Sequence, residues 1–140
     1  MRRTQHLREQ HDRILEVSQQ MTQRLASAEP AESKAVALRK LLSTLVGKLT
    51  IHLAMEDESM YPLLLKHSDA RLSQLGRRYM DEMGGLSKEV RSYADRWPSA
   101  VQIQRDLPRF SEETSRVLKA LNERVGREND ELYPLIDLLL

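Results

Sequence analysis

His52 and Glu56 stand four residues apart, so on a helix both side chains leave the same face, one turn from each other. An imidazole and a carboxylate in that relation form a ligand set suited to iron, zinc or manganese. His11 lies on the apolar stripe made by Leu7, Ile14, Leu15, Met21 and Leu25. It points into the same interior, where helical bundles build metal sites from inward side chains on facing helices. A blander account uses the same residues: buried histidine and glutamate satisfied by arginine form a structural network with no metal at all. An HxxxE pair by itself is a weak motif and leaves both accounts open.

An internal repeat adds further residues. Displaced by 72 positions, residues 52–64 lie over residues 124–136, with Glu56 over Glu128 and Tyr61-Pro62-Leu63 over Tyr133-Pro134-Leu135. At the same displacement Leu7, Ile14, Met21 and Leu25 fall over Tyr79, Leu86, Tyr93 and Trp97. The two halves read as two copies of a helical hairpin packed about a pseudo-twofold axis. The copies differ where chemistry would sit: His11 lies over Met83 and His52 over Arg124, while Glu56 keeps its counterpart in Glu128. Tyr61 and Tyr133 could donate hydrogen bonds to such a site, although Tyr-Pro near a helix end also serves packing and termination. Glu82, beside Met83, is a carboxylate that could swing inward, with solvation outward the simpler expectation.

The elements that must carry these residues follow from apolar spacing near 3.6 residues. Long helices are expected over residues 4–27, 31–65, 70–96 and 107–139, with a short helical piece over 99–104. Ala28-Glu29-Pro30 breaks the first from the second, because proline disfavours the α conformation in the residue before it. Pro62 is expected to kink or end the second helix. Ser68 or Asp69 is placed to cap the third, and Asp106 the fourth with Pro108 in its first turn. Gly84-Gly85 inside the third helix costs up to ~1 kcal/mol per glycine and suggests a kink or a close helix approach. Trp97-Pro98 closes that helix, with Trp97 plugging the end of the bundle. The fold class is all-α: an up-down-up-down four-helix bundle in a single domain spanning 1–140.

Composition narrows the function. Of 140 residues, 40% are apolar and 31% charged, with five Gly and five Pro, which is ordinary for a soluble domain able to bury a real core. Twenty-two basic residues balance twenty-one acidic ones, and Arg2, Arg3 and Arg8 are interleaved with Glu9 and Asp12. No basic run exists to track phosphates, so nucleic acid is not expected as a partner. The absence of cysteine excludes disulfides, thiolate-ligated zinc and iron–sulfur clusters. No apolar run approaches the ~20 residues of a membrane span, and the N-terminus lacks the apolar core of a signal peptide. The expected location is the cytoplasm. His6 and His67 are expected at the surface, Met55, Met60, Met80 and Met83 as core filler, and the Glu56-Asp57-Glu58 run as a solvated face with only Glu56 turned inward.

The chain resembles the hemerythrin-like, or HHE cation-binding, family over essentially its whole length. The likeness is carried by residues 7–15 (LREQHDRIL), by residues 52–65 with Tyr61-Pro62-Leu63-Leu64, and by residues 128–136 with the second Tyr-Pro-Leu. The resemblance implies a four-helix bundle around two bridged irons, used for dioxygen, nitric oxide or peroxide chemistry or for sensing. By it, His11, His52 and Glu56 fall on ligand positions and Glu128 on the bridging carboxylate of the fourth helix. The family's third and fourth helices supply further histidines where this chain has Met83, Ser87 and Arg124. The set for one metal is kept and the set for the other is lost. Two expectations follow. In the first, one metal rather than two (iron, with zinc or manganese as alternatives) takes a small diatomic ligand, and Arg124 replaces the second cation. In the second, the bundle holds no metal and acts as a regulatory or interaction module, as a homodimer or through a protein partner docking near Leu138-Leu139-Leu140. An oxidase or peroxidase of the di-iron kind sits badly with Met83 and Arg124, so no catalytic residue is assigned.

Overall fold

A sequence rich in leucine and poor in β-branched residues propagates helix wherever proline or glycine does not interrupt it. The computed structural model, which describes residues 3–140, is helical with no strand among those residues. Met1 and Arg2, and with them one arginine of the N-terminal charge pattern, lie outside the described residues. The helices are α1 (Gln5–Ala26), α2 (Ala31–Met55), α3 (Tyr61–Leu65), α4 (Ala70–Met83), α5 (Leu86–Arg96), α6 (Ala100–Arg105), α7 (Leu107–Arg127) and α8 (Tyr133–Leu139). Asp69 caps α4 by accepting from the Arg71 backbone N–H, Ser99 caps α6 through Gln102, and Asp106 caps α7 through Arg109. No helix is long and apolar enough to cross a membrane among the described residues.

Pro62 and Pro134 shape the interior. In an α-helix the ring of Pro62 would press on the Glu58 carbonyl and leave it without a donor. The chain instead widens into a π-helical turn, Glu56–Met60, in which the Tyr61 N–H reaches back to the Glu56 carbonyl, and then resumes as α3. The second half repeats the device: the turn Glu128–Leu132 precedes Pro134, and the Tyr133 N–H reaches the Glu128 carbonyl. The kink expected at Pro62 thus takes the form of a wider turn, and the helix continues to Leu65. Single π turns concentrate at functional sites, and each of these begins at a glutamate.

The third expected helix is two. Gly84-Gly85 forms a turn between α4 and α5, with backbone angles of φ −68°, ψ −12° and φ −83°, ψ −2°. A Cβ at Gly84 would run into the Met80 carbonyl oxygen, so the glycine pair marks a break rather than a close approach of two helices. The break leaves the Met83 carbonyl among the last four of α4, which have no partner within the helix.

α1 packs on α2, α2 on α5, α5 on α7 and α7 on α1, closing a ring of helices around the core. That core has two apolar parts. One contains Ile14, Leu42, Leu49, Leu53, Leu86, Phe110, Leu121 and Val125. The other contains Tyr61, Leu64, Leu72, Tyr79, Leu132, Tyr133 and Ile136. In α2 and its extension the polar position Glu56 falls between Leu53 of the first part and Tyr61 of the second, and Glu128 falls likewise between Val125 and Leu132. A polar layer therefore separates the two apolar ones. Trp97 is buried in the first part, edge-on to Phe110 at 5.2 Å. At the C-terminus Leu139 and Leu140 pack against the second part, leaving only Leu138 broadly exposed at 73%. Of the apolar residues expected at this end, Leu138 is broadly exposed and Leu140 lines an open groove with Leu63 and Met55.

Gly84→Ala should destabilise the fold by about 1–3 kcal/mol, the cost of forcing backbone or side chains aside in a packed region. Gly47→Ala, at an exposed α2 position where a new Cβ meets nothing within 4 Å, should stabilise by up to ~1 kcal/mol. Urea unfolding of both variants against the parent checks the opposite signs.

Candidate metal centre

The polar layer collects His11 from α1, His52 from α2, Glu56 and Glu128 from the two π turns, and Arg124 from α7, each no more than 2% exposed. One ligand atom from each of His11, His52, Glu56 and Glu128 can be chosen so that all lie within 4.8 Å of one another. The rings of His11 and His52 are 4.5 Å apart between centroids. The four residues singled out from the sequence thus come together, and this group could hold a metal ion.

Both imidazoles are fixed from behind. Nδ1 of His52 sits 2.6 Å from Oε1 of Gln10, and Nδ1 of His11 sits 2.8 Å from Oδ1 of Asn129. An amide oxygen can only accept, so each Nδ1 carries a proton, and in its neutral form each ring turns its Nε2 lone pair toward the carboxylates. That second nitrogen, held by an outer partner, is how metal-binding histidines are oriented. Nε2 of His52 lies 3.1 Å from Oε1 of Glu56, and Nε2 of His11 lies 3.2 Å from Oε1 of Glu128. Nε2 of His11 also lies 3.2 Å from the Tyr133 hydroxyl, whereas Nε2 of His52 and Oε1 of Glu128 are buried without a hydrogen-bond partner. Buried polar atoms left this way are rare and costly. Two nitrogens and two carboxylates converging, with one nitrogen and one carboxylate oxygen left unpartnered, fit a divalent cation.

The carboxylates are otherwise well supplied. Tyr61 donates to Oε2 of Glu128 at 2.6 Å, and Tyr133 donates to Oε2 of Glu56 while stacking on His11 at 5.1 Å. Burial and the adjacent carboxylate charges hold both phenols well above the usual tyrosine range, so they remain donors. Arg124 places Nε 3.3 Å from Glu128, Nη2 3.2 Å from Glu56 and 2.6 Å from Asp57, and Nη1 3.3 Å from the Met83 carbonyl that the Gly84-Gly85 break leaves free. Burial works against its charge, but Glu128, Glu56 and Asp57 outweigh that and keep it protonated. Three carboxylates against one guanidinium leave an excess of two negative charges when both imidazoles are neutral. A divalent cation would cancel it.

Without a cation, protons take up part of that excess. Burial, then the neighbouring Glu56 charge, raises Glu128 above the ordinary carboxyl range. Burial opposes protonation of His11, but Glu128 beside it wins and raises its pKa. Burial, reinforced by the positive His11, pushes His52 down to about 4.

Three participants were not foreseen. Asp57, expected on a solvated face, turns to Arg124 with its side chain 18% exposed, because the π turn changes which residues after Glu56 face inward. It also lines a cleft of about 290 Å³ between α2 and α5, with Ser87 at its opposite wall. Gln10 and Asn129 act only through the imidazoles they hold. A signal was available: Asn129 lies 72 residues beyond Asp57, and each follows its glutamate directly. Glu82 stays exposed, paired with Arg127 at 2.5 Å and Arg78 at 3.8 Å, and does not enter the layer. Met83 contributes its carbonyl, its side chain being partly buried against the second apolar part. His67 accepts from the Asp69 backbone N–H at 3.0 Å in the turn before α4. His6 is exposed, with Nε2 3.2 Å from Nε2 of Gln10.

A family model described as the hemerythrin HHE cation-binding domain matches residues 2–136. The chain belongs to that family. No curated protein and no solved structure matches it.

In chelator, NMR titration of the imidazoles should find His52 protonating near 4 and His11 above 6.5, the ordinary value for both. The two act on stability with opposite sign. The His52 part is present above 6.5 and is lost as pH falls through 6.5 toward 4; the His11 part is present below 6.5 and is lost as pH rises through its raised value. Arg124→Met should cost the metal-free protein about 3–5 kcal/mol, because it leaves Glu56 and Glu128 buried without a counter-charge; urea unfolding in chelator measures it.

Proposed function

We propose that this protein is a hemerythrin-like domain that holds one divalent cation instead of two, with the Arg124 guanidinium standing where the second would be. Iron is the first expectation, with zinc or manganese as alternatives. The carrying observation is the pair of orphaned buried atoms, Nε2 of His52 and Oε1 of Glu128, aimed into a group with an excess of two negative charges. The proposed ligands are His11, His52, Glu56 and Glu128. The architecture that goes with this reading is a single domain over residues 1–140, an up-down-up-down four-helix bundle of two pseudo-repeated hairpins.

Each residue then has a distinct task. Gln10 and Asn129 fix the ring tautomers, and Tyr61 and Tyr133 hold one oxygen of each carboxylate so that the other points inward. Arg124 supplies a cation that cannot be deprotonated or exchanged. The buried layer keeps out bulk water. Bound there, iron would offer open coordination positions for a small diatomic ligand such as dioxygen or nitric oxide. The fitting role is sensing or response to dioxygen, nitric oxide or oxidant in the cytoplasm, without turnover.

A second reading has its own observation. Arg124 already pairs with Glu56, Glu128 and Asp57, which suits a metal-free bundle acting through a protein partner or a second copy.

Metal analysis of protein purified without a metal-affinity column separates the two. The proposal expects about one equivalent of iron, zinc or manganese per chain, lost in His52→Ala and in Glu56→Ala. The count should rise toward two in Arg124→His, more fully with Met83→His added, since Glu82 and Asp57 sit 72 residues from Gln10 and Asn129 and could anchor the new rings. No metal in the parent, with stability indifferent to chelator, would leave the metal-free reading in possession.

A further inference from the structure

The Gln10 amide is committed at both ends. Its oxygen is held 2.6 Å from Nδ1 of His52. Its nitrogen faces two groups toward the surface, Nε2 of His6 at 3.2 Å and Sδ of Met55 at 3.4 Å. A primary amide has two N–H donors and one accepting oxygen. The outer pair therefore decides its orientation: the donor end is drawn toward His6 and Met55, leaving the oxygen for His52. A flipped amide would turn its oxygen against the Met55 sulfur, which has no proton to donate. The tautomer of His52, and with it the Nε2 lone pair, is thus set from outside the polar layer.

Among the described methionines, Met55 is the one most open to solvent. It is 37% exposed, whereas Met21 is fully buried and Met60, Met80 and Met83 are partly covered by the second apolar part. With His6, Leu7, Met60 and Leu63 it lines an open groove of about 320 Å³. Thioether oxidation follows exposure.

We propose that Met55 is an oxidation site coupled to the buried centre, its thioether accepting an oxygen atom from a peroxide and transmitting the change through Gln10 to His52. The sulfur lone pair attacks one peroxide oxygen; the S–O bond forms as the O–O bond breaks, and the departing oxygen leaves as water or alcohol after taking up the hydroperoxide proton. Sulfur loses two electrons and the peroxide gains two. Methionine sulfoxide reductases reverse the step. The sulfoxide oxygen is a stronger acceptor than the thioether and projects beyond the sulfur. It draws the Gln10 amide outward and loosens its hold on Nδ1 of His52. The coupling to His52 stands by itself; its effect on metal affinity rests on the proposed metal site.

The test uses the full chain, metal-free, treated with limiting hydrogen peroxide. Peptide mass mapping should find the sulfoxide at Met55 ahead of Met21, Met60, Met80 and Met83. Nitrogen-15 resonances of the His52 ring should move in step with it, return after reductase treatment, and stay still in Met55→Leu and in Gln10→Leu. Zinc added back should bind roughly tenfold more weakly to the oxidised protein, the lower end of what losing an outer partner of a ligand costs. Oxidation of Met55 with no movement at His52, or the same movement in Met55→Leu, would overturn the coupling. Failure of both forms to bind zinc, with His52 still responding, would sink the metal site and support the coupling.

Discussion

Two carboxylates buried side by side set the terms for the rest of this molecule. Glu56 and Glu128 are both fully covered, and like charges at close range in a dry interior cannot both stay ionised without compensation. Arg124 answers part of that demand from α7, reaching both carboxylates with one planar group. The tyrosines, Asp57 and the Met83 carbonyl add further partners, and leave Nε2 of His52 and Oε1 of Glu128 without one. The break at Gly84-Gly85 matters for this reason: it opens a carbonyl to the guanidinium that an unbroken helix would keep for itself.

Much of this was legible in the sequence because the repeat exposes it. Registering the halves at 72 residues identifies Glu56 with Glu128 and shows that Arg124 takes the place of a histidine. The four residues His11, His52, Glu56 and Glu128 do meet. The apolar stripes were equally readable, because their spacing follows helical geometry. What escaped was local backbone detail. Periodicity assumes a constant turn, so it carried the third helix across Gly84-Gly85 and read Asp57 as a surface residue. The π turns break that assumption at the positions of interest, and proline alone does not tell whether a helix ends, bends or widens. Gln10 and Asn129 escaped for another reason. Each stands next to a site residue rather than one turn from it, and acts across helices, which spacing along one chain cannot reveal.

The two halves have diverged in chemistry more than in shape. Both keep the glutamate, the widened turn, the Tyr-Pro pair and the polar residue after the glutamate. The first half donates imidazoles and the second a guanidinium. Family membership therefore describes the frame and one half of its contents.

The guanidinium also changes what occupancy would mean. A fold whose interior charge depended on two exchangeable ions would be tied to their supply and would loosen as they left. Here one compensating charge is covalently attached, so its effective concentration is fixed by the chain and independent of the surroundings. On the proposed reading, an exchangeable ion beside it would come and go against a charge already partly compensated. On that reading the ion's presence would serve as information rather than as a structural requirement.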